Sequence, residues 1–358
     1  MSNVRVLCVD DSALMRSFLR ITLSTDPSIE VVGTASNAFT AREMIKDLYP
    51  TVLTLDINMP LMNGLVFLEK LMRLRPMPVV MFSAMTEHGS DLALQALTLG
   101  AVDAIAKPNP GSPAAWSAVG LELIEKVKNA SMAHAMIAEP CEAVMTARRH
   151  PHPTGRIVAI GASTGGVQVI RSVLQELPAD CPPIMIAQHM PAMFTRSFAE
   201  RLNASCRMEV REARDGLPMR NGLVVIGPGD RHLELERSGH DMICRLRPRF
   251  TRPGIAPSAD HLLESVADAA GSSGVGIILT GMGKDGAQGL ARMRKAGAIT
   301  ASQSEATCLI YGMPRAAAEC GAAKYEIDIR DLAAFILDAP SGARLHRYTE
   351  ECGISVPR

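Results

Sequence analysis

Arg156-Ile-Val-Ala-Ile-Gly161-Ala-Ser163-Thr-Gly-Gly166-Val-Gln168 is the stretch on which the reading of the fold turns. Ile157 to Ile160 form a short, unbroken apolar run, the pattern of a strand covered on both faces. A turn of small residues follows. Then Val167, Ile170, Val173, Leu174 and Leu177 fall at helical spacing. Strand, glycine turn and helix make the repeating unit of an open α/β sheet. Ser163 is thereby placed at the carboxyl end of a strand, where sites in such sheets collect. Free amides in the turn and the positive end of the following helix favour negative charge beside it. A serine in this position is either a nucleophile or part of a phosphate loop.

The phosphate readings are poorly supported. The segment lacks the Gly-x-Gly-x-x-Gly spacing, and no Lys-Ser or Lys-Thr follows as in a P-loop. It is closer to the Gly-x-Ser-x-Gly elbow of serine hydrolases. A nucleophilic serine needs a base, and the base needs an orienting acid. The next apolar run, Pro183-Ile-Met-Ile-Ala-Gln-His189, ends in a histidine. A later one, Val275-Gly-Ile-Ile-Leu-Thr-Gly-Met-Gly-Lys-Asp285, ends in glycines with a carboxylate just beyond. Singly, each residue fits an ordinary structural role. Ser163, His189 and Asp285 at strand ends on one edge of a parallel sheet together point to a catalytic triad.

Working outward, the preceding half of the chain repeats the strand-helix unit five times. Apolar strands are expected at Val4 to Val9, Ile29 to Ala35, Thr51 to Leu55, Val79 to Phe82 and Asp103 to Ala106. Their ends bring Asp10, Asp11, Asp56, Ser83 and Lys107 to one edge. Clustered carboxylates repel unless a cation neutralises them, and an all-oxygen set suits Mg2+. A metal beside one carboxylate, with a lysine opposite, is also what an incoming phosphoryl group requires. The fold class is therefore α/β, with two doubly wound parallel-sheet domains, the first flavodoxin-like and the second Rossmann-like.

Composition narrows the rest. The 358 residues are enough for two or three domains, and 47% apolar content is ample for packed cores. A formal net charge of zero offers no general attraction to nucleic acid, and no basic surplus or terminal helix-turn-helix suggests a transcription factor. No run approaches a membrane span, and the amino terminus lacks a signal peptide's apolar region, so a cytoplasmic protein without membrane insertion is expected. The eight cysteines are scattered without a Cys-x-x-Cys pair, which suggests reduced thiols. Residues 131–155 lose periodicity and carry Arg148-Arg149-His150-Pro151-His152-Pro153, the composition of a solvated linker.

Asp10-Asp11, Asp56-Ile-Asn58-Met-Pro60, Asn63-Gly64, Ser83 and Lys107-Pro108 resemble a bacterial response-regulator receiver domain. The resemblance implies that Asp56 accepts a phosphoryl group from a chemotaxis histidine kinase. It also implies that Asp10, Asp11, Asp56 and the Asn58 carbonyl bind Mg2+, and that Ser83 and Lys107 sense the phosphate. Ala104 departs from the aromatic switch residue of many receivers, and Asn63 from a more usual Asp.

Gly161-Ala-Ser-Thr-Gly-Gly166, Gln188-His-Met-Pro191, Gly227-Pro-Gly229, Pro257-Ser-Ala-Asp260, Leu279-Thr-Gly-Met-Gly-Lys-Asp-Gly286 and Tyr311-Gly-Met-Pro-Arg315 resemble the catalytic domain of the protein-glutamate methylesterases of chemotaxis. The expected domains are a receiver at 1–130, a linker at 131–155, a catalytic domain at 156–345 and a tail at 346–358. The family implies hydrolysis of glutamate methyl esters, and deamidation of glutamines, on methyl-accepting chemotaxis receptors. Ser163, His189 and Asp285 would then be its triad, and the esterase chemistry itself needs no cofactor. Backbone amides at Thr164, Met282 and Gly283 are candidate oxyanion donors. Arg245, Arg247, Arg249 and Arg252 form a basic cluster that could steer an acidic helix. The order Ser, His, Asp differs from that of the α/β-hydrolases. A competing reading makes the second domain a non-catalytic binding module whose Ser163 would not react with a fluorophosphonate.

Overall fold

A computed structural model describes residues 3–83, 86–108, 112–133, 156–251 and 254–339. These fall into two compact units, 3–133 and 156–339. The linker was expected at 131–155, but the helix that closes the first unit runs on to Met132. Residues 134–155 of that linker, the last residues 340–345 of the expected catalytic domain, the tail at 346–358 and Arg252 lie outside the described residues.

The first unit alternates strand and helix throughout: β1 (Val4–Val9), α1 (Ala13–Leu23), β2 (Ile29–Ala35), α2 (Ala38–Leu48), β3 (Val52–Asp56), α3 (Gly64–Leu74), β4 (Val79–Ser83), α4 (Glu87–Thr98), β5 (Asp103–Ala106) and α5 (Pro113–Met132). All neighbours are parallel, in the order β2-β1-β3-β4-β5. β3 and β4 are buried along their whole length because helices cover both faces. Side-chain caps set the helix starts. Ser12, Asn37, Asn63, Thr86 and Ser112 each accept a backbone amide at the head of a helix. Asn63 Oδ1 accepts from Leu65 N at 2.8 Å, so the residue that departs from the receiver pattern still caps α3.

The second unit begins at its centre. β6 (Ile157–Ala162), α6 (Gly166–Glu176), β7 (Ile184–Gln188), α7 (Ala192–Ser205), β8 (Glu209–Glu212) and β9 (Leu223–Ile226) wind outward on one side. An antiparallel hairpin, β10 (Arg231–Ser238) with β11 (Asp241–Pro248), interrupts the winding. α8 (Ala259–Ala270), β12 (Gly274–Ile278), α9 (Ala287–Lys295), β13 (Ile299–Gln303), α10 (Met313–Glu319), β14 (Tyr325–Ile327) and α11 (Ile329–Asp338) complete the other side. The seven-stranded sheet runs β14-β13-β12-β6-β7-β9-β8, all parallel.

The hairpin was not legible as such, because its strands are two-faced and charged rather than uniformly apolar. Every residue of β6, β7 and β12 is buried. The winding reverses between β6 and β12, which makes the crevice outside their carboxyl ends the natural site of an open sheet. Two glycines shape that crevice. A Cβ on Gly161 would lie 2.6 Å from Ala259 Cβ, so α8 packs directly onto the end of β6. Gly165 adopts φ +81°, which L side chains disfavour, and turns the chain into α6.

Candidate functional site

In the first unit Asp10 and Asp11 follow β1, Asp56 ends β3, Ser83 ends β4 and Lys107 follows β5. Ligand oxygens of Asp10, Asp11 and Asp56 all lie within 4.8 Å of one another. Lys107 Nζ is 2.8 Å from Asp10 Oδ2 and 2.9 Å from Asp56 Oδ2. Lys107 Nζ is the one cation against the buried Asp10 Oδ2 among the described residues, so this oxygen keeps acceptor capacity. Burial pushes the Asp10 and Asp56 carboxyls above their usual range, although Lys107 pulls both down. Burial disfavours the Lys107 ammonium, but its two carboxylate partners outweigh that and raise it. The Asn58 amide supports the charged form of Asp56. Ser83 Oγ donates to the Gly89 carbonyl at 3.1 Å, which links the end of β4 to the first turn of α4. Ala104 is buried in β5 and offers only a methyl group.

These hard oxygen donors suit a small divalent cation. Three carboxylates around one lysine also leave the cluster with excess negative charge. The spare acceptor capacity of the buried Asp10 oxygen fits the same group.

In the second unit the three candidate residues sit at the ends of three adjacent strands, β6, β7 and β12, although the third strand lies far along the chain. His189 Nε2 is 2.8 Å from Asp285 Oδ2. The carboxylate can only accept, so Nε2 carries the proton and Nδ1 is the basic nitrogen. Asp285 is seated on the amino terminus of α8. Oδ1 accepts from Ser258 Oγ at 2.9 Å and from Asp260 N at 3.0 Å, and Oδ2 also accepts from Ala259 N at 2.7 Å. Burial works against this charge. The His189 hydrogen bond and charge, with the Asp260 and Ala259 amides, overcome it and hold the Asp285 carboxyl down at about 2. The neighbouring Asp260 carboxyl is pushed up to about 6, first by burial and then by Asp285 and Glu264, against the Gly289 and Gly286 amides.

Ser163 is held by its backbone. Its amide donates to Thr280 O at 3.0 Å and its carbonyl accepts from Gly166 N at 2.8 Å. Among the described residues, none is hydrogen-bonded to Ser163 Oγ. Serine-base contacts of this kind are commonly loose without substrate. Thr280 Oγ1 donates towards Thr164 O at 3.1 Å and Ile310 O at 3.2 Å, which ties the serine turn to the loop before α10. The Met282 and Gly283 amides meet no acceptor among the described residues, and Gly283 has φ +86°.

Sequence reasoning had no role for Ser258, for the start of α8 or for Gln188. The first two carried a signal, since Ser258 before an apolar-periodic run with an acid at 260 is a helix-start pattern. The basic cluster is different in kind from the expectation. Arg245 pairs with Asp215 and Glu236, and Arg247 with Glu234 and Glu236, across the hairpin. Arg245 and Arg247 are thus neutralised by their own fold, which lowers the charge surplus that these two offer for steering.

Two family models match the chain: CheB methylesterase over residues 158–336 and the response regulator receiver domain over residues 6–112. A curated relative from Caulobacter vibrioides, protein-glutamate methylesterase/protein-glutamine glutaminase 1, is 51% identical over 348 residues, covering 96% of this chain and all of the relative. One from Rhizobium etli, protein-glutamate methylesterase/protein-glutamine glutaminase, is 49% identical, covering 93% and 95%. Among solved structures, the CheB methylesterase catalytic domain of Thermotoga maritima is similar at 34% identity and a TM-score of 0.50, over 52% of this chain and 99% of that one.

Proposed function

The chain belongs to the CheB methylesterase family with a receiver domain in front, and on that premise we propose that Ser163, His189 and Asp285 hydrolyse glutamate methyl esters and glutamine amides of chemoreceptors under control of Asp56 phosphorylation. The observation that carries the reading is the 2.8 Å contact between His189 Nε2 and Asp285 Oδ2, one strand away from Ser163. The non-catalytic alternative is not retained, since the relatives that match nearly the whole chain are named as enzymes.

The geometry gives each atom a task. With Nε2–H committed to Asp285, His189 Nδ1 takes the proton from Ser163 Oγ. The oxygen attacks the ester carbonyl, and the Thr164, Met282 and Gly283 amides are the candidates to receive the developing oxyanion. Collapse of the tetrahedral intermediate expels methanol, or ammonia from an amide, with the Nδ1 proton. Water then gives its proton to Nδ1 and its hydroxide to the acyl carbon, releasing glutamate and Ser163. Asp285 keeps its charge throughout and stabilises the imidazolium.

In the receiver, Asp10, Asp11, Asp56 and the Asn58 carbonyl would hold Mg2+, which neutralises charge on the incoming phosphoryl group. A carboxylate oxygen of Asp56 attacks the phosphorus of the kinase phosphohistidine, forming an acyl phosphate as the P–N bond breaks and the kinase imidazole leaves with that electron pair. Lys107 and Ser83 then contact the phosphoryl oxygens, and Ser83 must leave Gly89 to do so. No helix among the described residues is long and apolar enough to cross a membrane.

Methanol release from methylated receptor tests both halves. The expected result is loss in Ser163→Ala, and stimulation by a small phosphodonor with Mg2+ that disappears in Asp56→Asn. Serine-independent release removes the triad. Stimulation that survives Asp56→Asn removes the phosphorylation site. Deleting residues before Arg156 should raise basal release if the receiver restrains the esterase, and slower release argues for activation instead.

A further inference from the structure

Gln188 ends β7, immediately before His189, and is 2% exposed. Its side chain returns toward the neighbouring strand, with Nε2 donating to Ser163 O at 2.9 Å and to His189 O at 3.2 Å. One amide group therefore holds the main chain of the candidate nucleophile and of the candidate base. The orientation of that amide is unambiguous, since two carbonyl oxygens can be met only by its NH2 end. Oε1 is buried without a hydrogen-bond partner and lies against Gly166 at the start of α6, where the positive end of the helix favours it. A side chain on Gly166 would occupy the place of this oxygen, so the close approach of α6 to β7 depends on that glycine.

The remaining backbone contacts show why the bridge matters. Parallel pairing between β6 and β7 ends at Ala162 with Gln188, and His189 N donates to Ala162 O at 2.9 Å. Beyond that point the sheet no longer fixes the spacing of the two chains. Ser163 leaves into the α6 turn and His189 into the loop before α7. Past the His189 N to Ala162 O bond, the Gln188 amide is the hydrogen-bonding group that joins these diverging segments among the described residues. It is also the second donor on the Ser163 carbonyl, whose other partner is Gly166 N at 2.8 Å. Catalysis is steep in the distance between nucleophile and base, and a displacement of about 1 Å costs about a hundredfold in rate.

We propose that Gln188 is a positioning residue of the esterase, whose side-chain amide sets the separation and orientation of Ser163 and His189 by donating to both of their carbonyls. The proposal rests on Ser163 and His189 being nucleophile and base. It adds what holds them in register, and it predicts a signature that a space-filling core residue would lack.

The test uses the full-length protein and two isosteric variants. Gln188→Met keeps the volume and deletes the donor. The expected result is a fall of about 10- to 100-fold in kcat for methanol release from methylated receptor, with KM little changed. The rate of Ser163 labelling by a fluorophosphonate should fall by a similar factor, since labelling reports the nucleophile without receptor binding. Gln188→Glu places a buried carboxyl against two carbonyl oxygens. Its neutral form can still donate to one of them, whereas its anion repels both. The kcat of this variant relative to wild type should therefore drop about tenfold or more from the acid to the alkaline end of the working range.

Wild-type kcat and labelling in Gln188→Met overturn the proposal. So does a loss that follows a fall in melting temperature or appears chiefly in KM. If Gln188→Met does not fold, Gln188→Glu decides, and a pH-independent ratio overturns the proposal. Absence of Ser163 labelling in the wild type would instead refute the triad on which it rests.

Discussion

Replacing Asp285 by Asn tests the centre of the site, and the hydrogen-bond pattern determines how. The carboxylate meets four donors: Ser258 Oγ and Asp260 N on Oδ1, Ala259 N and His189 Nε2 on Oδ2. An amide has one acceptor oxygen. Set at the Oδ2 position, it keeps both Ala259 N and His189, while its NH2 can donate to the Ser258 hydroxyl. The Asp260 amide alone loses its partner, at a cost of about 1–3 kcal/mol. The reverse orientation would lose the Ala259 amide and force His189 into the wrong tautomer. Asn should therefore preserve the tautomer and remove the charge. At about 4 Å and an effective dielectric of about 20, that charge stabilises the imidazolium by about 4 kcal/mol. The expected consequence is a loss of about a thousandfold in kcat/KM with near-normal fluorescence and circular dichroism. Methanol release across pH would measure it, and activity within tenfold of wild type would refute the role assigned to the carboxylate.

Stability gives an independent reading of the same substitution. The Asp285 carboxyl is lowered from 3.8 to about 2 in the fold. A depressed carboxyl stabilises the native state above the unfolded value, and that contribution is lost as pH falls through the folded value. Asp285 therefore contributes about 2 kcal/mol near neutrality, which should disappear between about pH 4 and pH 2. The gap between wild type and Asp285→Asn in urea denaturation must narrow over that window. A constant gap would mean that the α8 terminus does not hold the carboxylate as the hydrogen bonds indicate.

Other expectations follow from single contacts. Burial raises the Asp56 carboxyl, so its charged form is costly; Asp56→Asn should stabilise the receiver at pH 7 without Mg2+, and the gain should fade as pH falls into the ordinary carboxylate range. Urea titration reads this directly, and a loss of stability at pH 7 contradicts it. The chain's single tryptophan, Trp116, packs edge-on to Phe18 at 4.8 Å, and Phe18 lies 6.3 Å from Phe82, whose ring is 5.7 Å from Lys107 Nζ. Mg2+ titration should therefore alter its fluorescence, and Asp11→Asn should abolish the saturable change; an identical response in the variant would place the metal elsewhere. Because Arg245 and Arg247 are paired across the hairpin, alanine at either should change KM by less than about twofold, with an unaltered salt dependence. A larger, salt-sensitive rise would restore the steering role.

The alternation of apolar runs, glycine turns and helix-period segments was enough to establish two doubly wound sheets, because strands buried on both faces leave an unbroken apolar signature. It also placed Asp10, Asp56, Ser83 and Lys107 on one edge and Ser163, His189 and Asp285 on another, since parallel strands all end on the same side. Strand order was not legible. That β12 lies beside β6, with β7 on the other flank, depends on where the winding reverses, and no local pattern encodes it. The seat of Asp285 on α8 was equally hidden. It brings together Ser258, the first amides of a helix and a carboxylate separated in sequence, and only packing across Gly161 makes them neighbours. The pairing of Arg245 and Arg247 with Glu234, Glu236 and Asp215 was invisible for the same reason, because sequence counts charges while cross-strand register decides which of them cancel. Sequence alone determined which chemistry stands at the strand ends, whereas the distances that let those groups act on one another come from long-range contacts that only the tertiary structure sets.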